Sequence, residues 1–260
     1  MCRRLEQSFR SLELLQLTVP VTQNLVNMSM ERFNEFGPVD IACLMRSMVL
    51  VGYQPSKEQF ATIVQRVMIT ASHFEASATS MFVWSLAMLQ GTCSARLREE
   101  IKPRIHIHAS SFTFSECADV LWATSVLEIQ IDKDPQLWNA MSKCALANIS
   151  ECDTTSLSNI MFAYASLTPR QKPEQPLLEA MKEKIAEFVP HFEPDELANL
   201  TYAMVALNIE CSEALTQAQQ KNSVTFSKTP CYRVNDKEVR MGGGSCSSCV
   251  CGGGVATMTC

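Results

Sequence analysis

The residues that could bind a metal or act as nucleophiles do not form a convincing site. Cys246, Cys249 and Cys251 have a spacing that could hold zinc, but they lie in a segment rich in glycine and serine with no histidine after it. His106 and His108 lie close together, and no serine–histidine–aspartate or cysteine–histidine set can be argued from spacing. We therefore predict no metal site, no catalytic residues, no cofactor and no enzyme activity.

Composition indicates a protein with a large core and a separate tail. Hydrophobic residues make up 47% of the 260 residues and charged residues 19%, and the net charge of −5 argues against a generally basic protein that coats nucleic acid. Six of the nine glycines lie between Gly242 and Gly254, which leaves the rest of the chain without a glycine-rich phosphate loop. No apolar run is long enough to cross a membrane. Cys43, Cys117 and Cys144 lie in apolar patterns, which favours free thiols in a reducing compartment.

A six-residue pattern recurs five times with a period of 38 to 40 residues. The copies are WSLAML at 84–89, WATSVL at 122–127, FAYASL at 162–167 and YAMVAL at 202–207, with a weaker RSMVLV at 46–51. We call the first residue of each copy the anchor row, which consists of Arg46, Trp84, Trp122, Phe162 and Tyr202. Such self-similarity is typical of helical repeat proteins.

Each repeat is predicted to contain two helices. The first extends from about seven residues before the anchor to six after it, and its predicted N-caps are Ser77, Ser115, Thr155 and Asp195. The second is predicted to begin at Ser56, Ser94, Asp134, Glu174 and Ser212, with a Ser56–Gln59 capping box in repeat 1 and Pro135 after the Asp134 cap in repeat 3. The extra residues of the longer repeats fall in the loop between the helices, where insertions are tolerated. Pro103 is expected to kink or end its helix.

The repeats predict an all-α fold, an α-solenoid of about five helix-turn-helix units over residues 34–227. Residues 1–33 are predicted to be a partial N-terminal repeat, with its second helix over 21–33. Residues 228–260 form a low-complexity tail rich in cysteine, glycine and serine, which we predict to be disordered. Because the chain begins inside a repeat and shows no polar terminal cap, we hypothesise that it is part of a longer protein.

The first helices carry two rows of interest on the arc that would line the inner surface. This inner edge consists of the positions 7 and 3 before the anchor, the anchor itself, and 4 after it. Three residues before the anchor lies a set that changes from repeat to repeat, which we call the variable row: Cys43, Met81, Asp119, Asn159 and Asn199. Small residues on both flanks of each first helix would let neighbouring repeats approach closely.

The segment FEPDELANLTYAMVAL at 192–207 resembles the octotricopeptide repeat and the related heptatricopeptide and FAST-kinase-type repeats. The resemblance covers about residues 34–226 as five copies in phase, although Arg46 replaces the aromatic anchor in the first. It implies a helical-repeat protein of mitochondria or chloroplasts that binds RNA and acts in RNA processing, stability or translation. Many such proteins end in a RAP domain, and none is recognisable after Phe226.

The resemblance and the inner edge together predict single-stranded RNA as the partner. An aromatic ring can stack on a base and a neighbouring amide can bond a base edge. The candidate contacts are Cys43, Met81, Trp84, Asp119, Trp122, Asn159, Phe162, Asn199 and Tyr202. Two alternatives remain open: the rings belong to the core, or the chain is a protein-binding scaffold of the HEAT or armadillo kind. The polar variable row favours RNA and the acidic net charge favours a protein partner, while neither reading requires a membrane or a small-molecule substrate.

Overall fold

A computed structural model describes residues 12–89, 94–131, 133–167, 173–209, 215, 217, 231–234 and 237–240. Those residues confirm an all-α architecture for the repeat region. Its α-helices are α1 (Leu12–Glu31), α2 (Pro38–Leu50), α3 (Lys57–Thr70), α4 (Ala76–Met88), α5 (Ala95–His108), α6 (Phe114–Val126), α7 (Pro135–Ala147), α8 (Thr154–Leu167), α9 (Gln175–Phe188) and α10 (Pro194–Leu207). Short 3₁₀ turns follow several second helices, at Phe33–Glu35, Ala71–His73, Ile149–Glu151 and Val189–His191.

The helices pack in the order of the chain. The first helices α2, α4, α6 and α8 each pack against the next first helix, which for α8 is α10, and each also packs against the second helix that follows it. The second helices contact one another between α3 and α5 and between α7 and α9. The first helices therefore supply the centre of the core, while the second helices cover one side of it.

Side-chain patterns explain the two kinds of helix. In α6 the buried residues lie on nearly every side, because helices pack against it from both neighbouring repeats and from its own partner. In α9, by contrast, only the stripe formed by Leu177, Met181 and Ile185 is buried, as its helical spacing predicts.

The predicted starts of the second helices are confirmed where the structure describes them. The Ser56 hydroxyl accepts a hydrogen bond from the Gln59 amide at 3.2 Å, and Gln59 Oε1 accepts one from the Ser56 amide at 2.9 Å. Asp134 Oδ1 caps α7 by accepting from the Leu137 amide at 3.1 Å, with Pro135 at the first helical position. Ser212 lies outside the described residues.

The predicted N-caps of the first helices are wrong by two residues. Ser77, Ser115, Thr155 and Asp195 all lie inside the first helical turn. The caps lie nine residues before the anchor, and Thr113 is the clearest case: its hydroxyl accepts from the Glu116 amide at 3.2 Å, and Glu116 Oε2 accepts from the Thr113 amide at 2.9 Å. This reciprocal pair of hydrogen bonds between Thr113 and Glu116, three residues apart, fixes the residue at which α6 begins.

Two helices continue past an internal proline, so no helix boundary is observed at residue 21 and α5 does not end at Pro103. Helix α1 continues over Leu12–Glu31 with Pro20 in its interior, so a separate helix over 21–33 is not observed. Helix α5 passes through Pro103. Pro103 and Glu99 are exposed, so the Glu99 carbonyl that loses its helical donor can bond to water instead.

Side chains from the second helices hold the segments that connect the repeats. Arg66 Nε donates to the Phe36 carbonyl at 2.9 Å, His108 Nε2 bonds the Phe74 carbonyl at 2.9 Å, and Asn148 Nδ2 donates to the Phe112 carbonyl at 3.0 Å. The three carbonyls occupy the same repeat position, ten residues before the anchor. His108 thus has a structural hydrogen bond.

Within the predicted tail, the structure describes two antiparallel strands, β1 (Cys231–Val234) and β2 (Lys237–Arg240). The cysteine spacing at 246–251 and the rest of the predicted disordered segment lie outside the described residues. Among the helices that the structure describes, none has both the length and the apolar character needed to span a membrane.

Candidate nucleic-acid interface

The variable row is accessible along most of the inner edge. Cys43 is exposed, and Met81, Asp119 and Asn159 are half-buried, so each offers part of its side chain to a ligand. Asn199 is buried and offers much less. Because each member lies three residues before its anchor, the variable and anchor rows share one face of the first helices.

The anchor row does not form the continuous exposed platform that base stacking needs. Trp122 and Phe162 are each 2% exposed, so the core alternative holds for these two rings and they are corrected from contacts to core residues. Trp84 is half-buried, whereas Tyr202 is 43% exposed. The small flanks of the first helices bring adjacent repeats close enough to cover the central rings, a consequence that the sequence already indicated.

Anchor residues of adjacent repeats contact one another at both ends of the row. The guanidinium carbon of Arg46 lies 5.0 Å from the centroid of the Trp84 ring, a cation–π contact. The ring centroids of Phe162 and Tyr202 are 5.4 Å apart with an interplanar angle of 39°. Although Arg46 is not aromatic, it therefore contacts the anchor residue of the next repeat, as Phe162 does.

Asp119 has the most perturbed carboxyl group of the inner edge. Its pKa is raised from 3.8 to about 7: burial is the largest cause, the charge of Arg46 partly opposes the rise, and the nearby carboxylates of Glu116 and Asp153 add to it. Near neutral pH the side chain is therefore divided between its two protonation states. The ionised form only accepts hydrogen bonds, whereas the neutral form can also donate one.

Hydroxyl groups border the variable row, at inner-edge positions that the sequence analysis predicted as helix N-caps and did not connect with ligand binding. Ser77, Ser115 and Thr155 are exposed one helical turn before the variable row. Thr155 Oγ1 donates to Glu196 Oε1 of the next repeat at 2.6 Å, so this hydroxyl is already engaged. The remaining two can bond a phosphate, a ribose or a peptide group.

Positive charge is scarce on the inner edge. Among its described residues Arg46 alone is a cation, and its guanidinium lies on Trp84. A cluster of basic residues instead lines an open groove of about 340 Å³ between α5 and the loop after α6. Arg98, Lys102 and Lys133 line this groove together with two glutamates, so its charge is mixed.

Comparison of the sequence with known protein families finds no match, and comparison with curated proteins finds no similar sequence. The similarity to octotricopeptide-type repeats stays a prediction from the motif.

Proposed function

We propose that the repeats form an α-solenoid and that its inner edge binds single-stranded RNA, with the variable row contacting one nucleotide per repeat. The observation that supports this proposal is the contrast between rows. The variable row has four residue types in five repeats and is accessible at Cys43, Met81, Asp119 and Asn159, while the flanking positions beside it are mostly small and largely buried. A surface that reads a varied sequence needs such variation at one fixed position.

The side chains of the variable row imply unequal discrimination along the RNA. Asn159 can donate to and accept from one base edge at once, the pairing that an amide makes with adenine. Ionised Asp119 accepts hydrogen bonds, which suits a base with an exocyclic amino group. Cys43 and Met81 offer no strong donor or acceptor, so repeats 1 and 2 should discriminate less than repeats 3 and 4.

Stacking is limited to the accessible rings. Tyr202 can offer a ring face to a base, and Trp84 can offer only the part that Arg46 leaves open. Trp122 and Phe162 support the fold beneath the variable row instead. From the resemblance of the motif, we propose that the bound RNA is a mitochondrial or chloroplast RNA. Binding would then act in the processing, stability or translation of that RNA.

A HEAT- or armadillo-like protein-binding scaffold is the second candidate. The shortage of cations on the inner edge and the net charge of −5 favour it, because RNA binding normally draws on lysine and arginine for phosphate contacts. Such a scaffold would favour a basic extended segment, whose backbone could bond the amide and hydroxyl groups of the inner edge.

Selection from a pool of random single-stranded RNA at two salt concentrations distinguishes the two functions. Enrichment of a short motif, with affinity that falls as salt rises, supports RNA binding. Asn159→Ala should then lose the base preference at one position of the motif. Asn139→Ala is the matched control, since Asn139 is exposed on the second helix α7.

Two results would count against the RNA proposal. If the chain retains no RNA at low salt, the scaffold becomes the better explanation. If RNA is retained but Asn159→Ala and Asn139→Ala enrich the same motif as the parent chain, the variable row is not the reader.

A further inference from the structure

The two flanks of the first helices face opposite directions along the chain. One residue after the anchor, Ser47 is exposed in α2, whereas the four later equivalents are buried. Three residues after the anchor, the pattern reverses: Ala87, Ser125 and Ala165 are buried, and Val205 of α10 is 57% exposed. The first flank therefore faces the preceding repeat, and the second faces the following one.

Helix α10 exposes a surface that is covered in the repeat before it. Tyr202 and Val205 lie on this surface. The equivalent residues of α8 are Phe162 and Ala165, which are buried where α10 packs on α8. We call the surface formed by Tyr202 and Val205 the forward end.

The opposite surface, on α2, is apolar as well. Leu50 is 40% exposed and Val51 49%, next to the exposed Ser47 and Cys43. We call these four residues the rear end. In later repeats the position of Val51 is held by Leu89, Leu127 and Leu207, which are buried, and by Leu167, which is half-buried. Ser47 and Val51 at the rear end, like Val205 at the forward end, are thus exposed at positions that are buried in most other repeats.

The anchor row makes the two ends chemically complementary. It begins with a cation, Arg46, and finishes with an exposed ring, Tyr202. A cation on a ring is already one of its internal contacts, since Arg46 packs on Trp84 at 5.0 Å. Placing α10 of one chain against α2 of another would bring Tyr202 to Arg46 in the same kind of contact.

We propose that two copies of this chain associate head to tail, with the forward end of one against the rear end of the other. The contact repeats the packing between successive first helices, so it extends the row of helices across the junction. It is heterologous, because different surfaces of the two copies meet, and each dimer keeps one free end of each kind. This association does not depend on RNA binding.

A junction made largely by one helix on another is small, so the association should be weak. Interfaces that bury less than about 1,200 Å² are typical of transient complexes. A dissociation constant between about 1 µM and 1 mM is expected for such a contact. Measurement must therefore extend to high protein concentration, and a reducing agent must exclude disulfide-linked oligomers.

Sedimentation of the full chain with end-specific variants tests the proposal. The weight-average mass of the parent chain should rise with concentration. Val205→Glu should disable the forward end and Leu50→Glu the rear end, so each variant alone should remain monomeric. A mixture of the two retains one intact forward end and one intact rear end, and should form a 1:1 dimer that grows no further.

Two further variants probe specificity and chemistry. Ile107→Glu places the same charge on an exposed position of α5, away from both ends, and should associate like the parent chain. Tyr202→Leu keeps an apolar side chain but removes the ring, and should weaken association by about two- to fivefold. Circular dichroism verifies that each variant keeps its helical content.

Several results would overturn the head-to-tail arrangement. A parent chain that remains monomeric up to about 1 mM would show that the ends do not bind each other. Self-association of Leu50→Glu alone would mean that like ends meet. A mixture of two folded variants that stays monomeric while the parent chain associates would place the contact elsewhere on the surface.

Discussion

Asp119→Asn should remove a pH-dependent loss of stability that the parent chain carries. In the folded chain the pKa of Asp119 is raised from 3.8 to about 7, mainly by burial, with Arg46 opposing the rise and Glu116 and Asp153 adding to it. Between these values the folded state holds a proton that the unfolded state releases. The stabilisation from this proton is fully present below pH 3.8 and is lost as the pH rises through about 7.

The size of this effect follows from the difference between the two pKa values. A difference of about three corresponds to about 4 kcal/mol of unfolding free energy. Because the side chain is only half-buried, solvent screens part of this energy, and we expect about 2 kcal/mol. Asparagine has nearly the same shape and no charge. At pH 8 the variant should therefore be more stable than the parent chain by about this amount, and at pH 4 the two should be similar.

Urea unfolding at pH 4 and pH 8, followed by circular dichroism, measures this difference. Glu99→Gln is the control for removing an exposed carboxylate and should shift the midpoint little at either pH. If Asp119→Asn shows the same pH dependence as the parent chain, or is less stable than it at pH 8, the assignment of Asp119 as a desolvated carboxyl is wrong.

Three further substitutions test the packing and the hydrogen bonds. Trp122→Ala should lower the free energy of unfolding by about 3–5 kcal/mol, because it empties a buried site; a loss under 1 kcal/mol by urea unfolding would contradict the burial of this ring. Asn148→Ala removes one of two side-chain hydrogen bonds to the Phe112 carbonyl, which keeps the bond from Cys144 Sγ, and should cost about 1 kcal/mol in the same assay; no change would show that the Asn148 bond does not contribute to stability. Thr113→Ala removes the cap of α6 and should cost about 1 kcal/mol, while Ser115→Ala should cost less; the reverse order in thermal unfolding would restore the cap position expected from sequence.

Sequence reasoning succeeded where the determining contacts are local. The starts of the second helices at Ser56 and Asp134 depend on residues within three positions, so the caps could be recognised directly. The repeat itself depends only on periodic residue types. Even the first-helix caps depend on local residues, because Glu116 lies three residues after Thr113 and forms a capping box with it.

Sequence reasoning failed where the outcome depends on surroundings. Whether Pro103 ends a helix depends on whether the carbonyl that it leaves unpaired reaches solvent, and here it lies on an exposed side. The contact between Arg46 and Trp84 also could not be assigned, because it joins side chains from two repeats 38 residues apart in the chain.

The anchor row shows most clearly what the sequence determines and what tertiary packing determines. Periodicity alone assigned Trp122, Phe162 and Tyr202 to one position of the repeat and to one side of its helix. Tertiary packing then buried the first two and left Tyr202 exposed, because α8 has α10 packed on its forward flank while the forward end of α10 is open. Burial is a property of what lies next to a residue in space, so equivalent positions in the sequence can end as core in one repeat and as surface in another.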